Sequence, residues 1–395
     1  MDLPTLPFDR PNVLDVAPRM RELQAEGPIT RVRTATGDEA WLVTRYDEVK
    51  TLFADPRLGR SHPKPDEAAR ISQSVVLGGA SDGFDTEATD HALMRSRLVP
   101  RFSARRMRLL KPRVEELVDD LLTKLATSKP PVDLHEALSF PLPVLVICEL
   151  LGVPYADREH FRTLSTGMAD LNDNALSAGS YEKLIDYVRD LVRRKRTEPG
   201  NDMLSELLTV EDGTLTDDEI AGLGAIVLFA GHETTVVRID MGTLLLLHTT
   251  GQYQSLAEDP TKAPAAVEEI LRLSLGGGGN GGILRYAKTD VEISGTRIAA
   301  GEAVLLAIGV ANQDQQAFTD PDRMDIGHQQ ANPHLSFGHG ARYCIGAALA
   351  RAELTAVFER LPVRFPNLRL AVPFEDLRWR SNLLTGGLAE LPVTW

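Results

Sequence analysis

The sequence predicts a mainly α-helical protein with a minor β region, and three features predict it. Helix-compatible segments run from His91 to about Gly251, broken only at Pro130-Pro131, Pro154, Pro199-Gly200 and Asp212-Gly213. Thr216, followed three residues later by Glu219, forms a capping box that starts a long helix near Asp217. β-prone residues come only as short runs, within 29–44 and again after 290.

In chain order, ITRVRTATGDEAWLVT (residues 29–44) reads as a hairpin turning at Gly37-Asp38. Residues 45–60 look helical and end near Pro56. Residues 61–90 are polar and aperiodic, a long loop with at most a short helix, and such loops inside compact domains are usually functional. A further helix spans about Ala263 to Leu273 and stops at the glycine run 276–282. Short strands are expected at Val291–Ile293, at Ala303–Ala307 and within 368–395. A Gly-rich loop, 338–346, leads into a helix from about Ala347 to Arg360. With no repeat and no linker, residues 1–395 read as one compact unit.

At 43% hydrophobic and 25% charged residues, the chain has enough apolar side chains for a core and is not disordered. A formal charge of −13 argues against nucleic acid or an anionic lipid surface as a partner. The start, MDLPTLPFDRPN, lacks the cationic and apolar regions of a secretory signal. The most apolar window, Ile220–Leu247, carries His232, Glu233, Arg238 and Asp240, so it reads as a core helix and not a membrane span. A soluble, cytoplasmic protein without a membrane partner is the expectation. Of two cysteines, Cys148 lies in an apolar helical run and reads as a small buried hydrophobe; a reduced setting is the simpler one.

Chemistry concentrates at Phe337–Gly346, FGHGARYCIG. Its three glycines allow tight turns and a close backbone approach to a flat ligand. Cys344 falls just before a helical run, where amide N–H groups and the helix dipole favour a thiolate, the form a metal requires. Two other motifs prove less. HETT at 232–235 begins like a zinc-peptidase helix, but Val236 stands where the second His is needed. Gly277, Gly279 and Gly282 spell GxGxxG, yet they follow a helix and precede β-like residues, the reverse of a dinucleotide site. Glu233 and Thr234 sit mid-helix, poor core residues unless functional, although a Thr there can also bond back to the preceding turn.

FGHGARYCIG fits the haem-binding loop F-G-x-G-x-x-x-C-x-G at every defined position. AGHETT (Ala230–Thr235) resembles an oxygen-activation motif, and Glu269-Ile270-Leu271-Arg272 an ExxR pair, both upstream in the proper order. The chain therefore resembles the bacterial cytochrome P-450 family, nearest to actinobacterial enzymes that tailor macrolides and other secondary metabolites. The resemblance implies a single prism-shaped helical domain holding haem b, with Cys344 as iron ligand and Phe337, Gly338 and Gly346 shaping its loop. It implies that His91, Arg95, Arg285 and Arg342 hold the haem propionates, as Arg suits carboxylates. It makes Glu269, Arg272 and Arg323 (in PDRM) a structural triad, and Thr234 with Glu233 the catalytic proton-delivery pair. His232 reads as structural. Ile226, Phe229, Ala230, Gly281, Gly282, Ile283, Leu383 and Leu384 would line a substrate pocket, which the glycine run makes roomy.

The implied reaction is O2-dependent hydroxylation or epoxidation by a monomeric enzyme. Electrons would come from NAD(P)H through a ferredoxin reductase and a ferredoxin. The alternatives are a peroxide-driven or isomerising member and a non-catalytic haem sensor. Eight cations between Arg95 and Arg113 would form a basic patch for the acidic ferredoxin.

Overall fold

The computed structural model describes residues 2–209, 215–275, 281–327 and 330–395. Its longest element is the helix Asp217–His248, opened by the expected capping box: Thr216 Oγ1 accepts from the Glu219 amide while Glu219 Oε2 accepts from the Thr216 amide at 2.7 Å. This central helix is long and apolar enough to cross a membrane, but 67% of its most apolar window is buried inside the protein. It is apolar on nearly all sides because helices pack on nearly all sides. Pro141–Leu151, Asn174–Thr197, Ala263–Leu273 and Ala347–Arg364 all touch it.

Two of these crossings depend on Gly242. A Cβ there would fall 2.6 Å from the Phe358 ring and 2.8 Å from Ile270, so the glycine lets the helices Ala263–Leu273 and Ala347–Arg364 approach the central helix together. These helices carry the ExxR pair and the cysteine loop respectively, so this contact fixes both against the central helix. Ala347–Arg364 runs four residues beyond the expected end, with Pro362 inside its last turn, where the missing N–H forfeits a single bond.

The expected hairpin is present: Ile29–Arg33 pairs antiparallel with Glu39–Val43. Glu39–Val43 then runs parallel to Ala303–Leu306, which pairs with Ile283–Ala287, with Leu58–Gly59 at the edge. A smaller sheet joins Val132–Asp133, Pro392–Thr394 and Arg369–Leu370. Residues 61–86 are mostly irregular, with a short 3-10 turn at Pro65–Glu67, and Glu87–Leu98 follows as a helix. Gly282 leads directly into the strand Ile283–Ala287, which confirms that the GxGxxG run does not open a helix; Gly277 and Gly279 lie outside the described residues.

Candidate active site

The cysteine loop is closed by its own backbone. The Cys344 amide donates to Phe337 O at 2.9 Å, and the Tyr343 amide to Gly340 O at 3.1 Å. Gly338 and Gly340 adopt φ of 72° and 71°, and a Cβ on Gly340 would lie 2.9 Å from Ala54 Cα, so the loop seats against the helix Tyr46–Ala54 only with glycine there. Arg95 Nη1 donates to Tyr343 O at 2.8 Å, and Arg351 lies 4.6 Å over the Phe337 ring. Gly346 packs beside the sulfur: a Cβ there would sit 4.0 Å from Cys344 Sγ.

Cys344 is free and exposed although neighbouring protein atoms desolvate its sulfur. Burial pushes its thiol up, opposed by the amides of Gly346 and Ala347 and by the Arg95 and Arg351 guanidinium groups. The helix start therefore favours the anion less than the sequence suggested; a coordinated metal ion, by replacing the proton, completes the balance. Cys148 differs: buried and free, its thiol is pushed up to about 12 by burial, so it is an inert core residue.

A cationic seat lies nearby. Arg285 is buried on the strand Ile283–Ala287, and among the described residues its guanidinium bonds only the Leu284 carbonyl, at 2.8 Å. Burial, with Arg60 and Arg342 adding repulsion, pushes Arg285 down to about 9. His91 is likewise pushed down, by burial and then by Arg342 and Arg95. Among the described residues, the acid in this group is Glu87, which takes Arg342 at 2.5 Å, Lys288 at 2.9 Å, the Arg60 amide at 2.7 Å and the Ser61 hydroxyl. Burial alone would raise Glu87, but these bonds outweigh it and bring the carboxyl down to about 2. Arg60, Arg285, Arg342 and Lys288 thus gather around one carboxylate, with Arg95 beside them at Tyr343 O, an excess of buried and half-buried positive charge that a dianion would neutralise. Two propionates supply that dianion, so the residues present fit haem.

The exposed side of the central helix completes the site. Ile226, Ala230 and Thr234, at four-residue steps, are exposed on an otherwise buried helix, with Phe229 half-buried beside them. Thr234 Oγ1 donates to Ala230 O at 2.9 Å, the backbone bond that the residue type allows. Glu233 is buried on the adjacent face, where Thr385 Oγ1 lies 3.4 Å from its Oε2; the structure does not bring Glu233 to Thr234. His232 is fully buried between Phe140 and Phe161, at ring distances of 4.9 and 5.4 Å, and burial pushes it down to about 4, so it packs as a neutral ring.

Four expectations need correction. Arg323 does not complete the triad through its side chain, which is 65% exposed and 3.7 Å from Asp325; its carbonyl instead accepts from Arg272 at 3.2 Å. Gly281 and Gly282 are not carved for substrate: at φ of 83° and 153°, their Cβ positions would strike Leu6 at 2.7 Å and the Leu306 carbonyl at 2.4 Å. Leu383 is 4% exposed and bridges Asp170, leaving Leu384 and Ile283 half-buried as the accessible members of that group. The basic run is partly neutralised from within, because Arg101 and Arg106 pair with Glu206 while Lys111 and Arg113 pair with Glu115, Glu116 and Glu149.

The sequence reading missed Arg60, Glu87 and Lys288. Glu87 precedes His91 by one helical turn, a spacing that could have flagged it. Arg60 and Lys288 reach the cluster only because Leu58–Gly59 pairs with Tyr286–Ala287, which no local pattern reveals.

Among known proteins, the sequence profile described as "Cytochrome P450" matches residues 177–366. Pentalenolactone synthase of Streptomyces exfoliatus is 55% identical over 397 residues, covering 100% of both chains. The substrate-free structure of cytochrome P450 PimD, a polyene macrolide antibiotic pimaricin epoxidase, is 42% identical with a TM-score of 0.89, covering 100% of both chains. The chain belongs to the cytochrome P450 family. It is therefore a haem-iron monooxygenase that acts on a small molecule with redox partners. Mycinamicin IV hydroxylase/epoxidase of Micromonospora griseorubida, 38% identical over 98% of each chain, is another such relative.

Removing one charged donor from a carboxylate costs about 1.5–3 kcal/mol. Arg60→Ala and Arg285→Ala should therefore each release haem to apomyoglobin about 10- to 100-fold faster than the parent. A rate equal to the parent's in both variants would contradict the cationic-seat assignment.

Proposed function

We propose that this chain hydroxylates or epoxidises a bulky organic molecule in secondary-metabolite formation, as the names of its relatives suggest. We assign electron supply to NAD(P)H through a ferredoxin reductase and a ferredoxin, and place the protein in the cytoplasm as a monomer, with residues 1–395 acting as one domain. The carrying observation is the pairing of an accessible sulfur, Cys344, with a seat of buried and half-buried cations around one carboxylate.

Bound haem b would supply O2-activating, oxygen-transfer chemistry. Cys344 would hold the iron, and the amides of Gly346 and Ala347 stabilise negative charge on its sulfur. His91, Arg60, Arg95, Arg285 and Arg342 would hold the propionates. Ile226, Phe229 and Ala230 exclude water and present apolar surface to the substrate. The Thr234 hydroxyl holds a proton at the exposed stripe, anchored through Ala230 O. Glu233, through Thr385, connects the buried face of the helix with the segment after Leu384.

Arg105 and Arg108, both exposed and outside the internal pairs, remain available to an acidic ferredoxin. Thr234→Ala should keep its haem content but form product about 100-fold more slowly per NAD(P)H consumed, the usual scale for lost proton delivery. Product per NAD(P)H equal to the parent's would overturn the role given to Thr234.

A further inference from the structure

Arg238 stands on the central helix one turn beyond Thr234, continuing the Ile226–Ala230–Thr234 stripe. Its neighbours Val236, Val237, Ile239 and Asp240 are buried, while Arg238 keeps partial exposure. One donor is spoken for, with Nη1 at 3.0 Å from Ser274 O where the helix Ala263–Leu273 ends. Among the described residues no carboxylate pairs with it and none of its nitrogens is buried without a partner, so the fork keeps donors beyond the one that Ser274 O takes. Burial alone pushes the group down to about 10, whereas Arg60, Arg285 and Arg342 act on one another; Arg238 lies outside the propionate seat. A half-buried guanidinium lacking an anion carries a desolvation cost that an arriving anion would offset.

We propose that Arg238 binds a carboxylate of the substrate, so that the enzyme acts on an organic acid held with its apolar body along Ala230 and Thr234. A single planar fork matches a carboxylate, while a phosphate would call for further donors that the stripe does not supply. The assignment rests on the monooxygenase reading and deepens it by naming the substrate class. It also explains why this charged residue sits in the middle of a long, apolar core helix.

The test uses haem-loaded protein and a matched pair of rigid probes, 1-adamantaneacetic acid and its methyl ester, read by the shift of the Soret band. The parent should bind the acid about tenfold or more tightly than the ester, the scale of one charge-assisted contact. Arg238→Gln, which keeps a donor for Ser274 O without the charge, should lose that preference through weaker acid binding, with the ester unchanged. Arg238→Lys, which keeps the charge but not the fork, should fall between. Equal response of the parent to acid and ester, including none to either, overturns the proposal, as does a glutamine variant that still prefers the acid. If the glutamine variant does not fold, the parent's acid-to-ester ratio and the lysine variant still decide. Imidazole serves as the control for the underlying reading. A normal imidazole shift without acid preference sinks only the Arg238 assignment, whereas protein that takes up no haem sinks the monooxygenase reading itself.

Discussion

Replacing Cys344 by serine removes the sulfur signature from the protein's spectrum and lowers its retention of iron by more than about 100-fold. The magnitude follows from metal chemistry: removing even a group behind a metal ligand costs roughly 10- to 100-fold in affinity, and the ligand itself matters more. Serine is nearly isosteric, but its hydroxyl is a far weaker acid than a thiol and does not supply the anion that the iron requires. Neither the two amides at the helix start nor Arg95 and Arg351 can compensate, because they stabilise a charge that is no longer there. The fold should survive, since the loop is closed by main-chain bonds, such as Cys344 N to Phe337 O, that the side chain does not make. Absorption of the ferrous carbonyl complex measures the outcome, with far-ultraviolet circular dichroism as the check on folding. Cys148→Ala is the internal control, because that thiol is buried and protonated. If the serine variant kept the red-shifted carbonyl band, the iron would have to be held by another group.

What the sequence disclosed depended on whether a residue's role was local. The capping box at Thr216, the hairpin at 29–44 and the bounds of Ala263–Leu273 rest on neighbours a few positions apart, and each appears where the pattern placed it. The cysteine loop was legible for the same reason, since its glycines and its following helix lie within ten residues. Roles that depend on distant partners were not legible. Arg60 meets Arg285 only through strand pairing, and Gly281 and Gly282 are dictated by Leu6, from the start of the chain, and Leu306, from the neighbouring strand. Glycine in a run invites a reading of empty volume, but close backbone contact demands the same residue. Glu233 was misread more subtly: adjacent helix positions point about 100° apart. The motif therefore places its acid on the buried face and its hydroxyl on the open one.

The Arg323 correction leads to the second large effect. Arg272 is 2% exposed and binds both oxygens of Glu269, at 2.7 and 2.8 Å, while also donating to the carbonyls of Asn312, Pro321 and Arg323. One guanidinium thus ties the ExxR helix to the loop that runs toward the cysteine, and the carbonyls come from main chain that no charge pattern announces. Arg272→Ala should cost about 3–5 kcal/mol, because it strands a buried carboxylate and leaves those carbonyls without their donor. Against a total stability of about 5–15 kcal/mol, that is a large fraction, and the variant should unfold at markedly lower urea. Arg323→Ala should shift stability by no more than about 0.5 kcal/mol, since its exposed side chain can be cut back without losing the carbonyl that Arg272 uses. A triad held by three side chains predicts comparable losses at 272 and 323, so the two urea midpoints separate the readings. The double variant Glu269→Leu, Arg272→Met sharpens the point. If the single loss comes mainly from the stranded charge, removing both partners should recover part of it, leaving the unmet carbonyls as the residual cost.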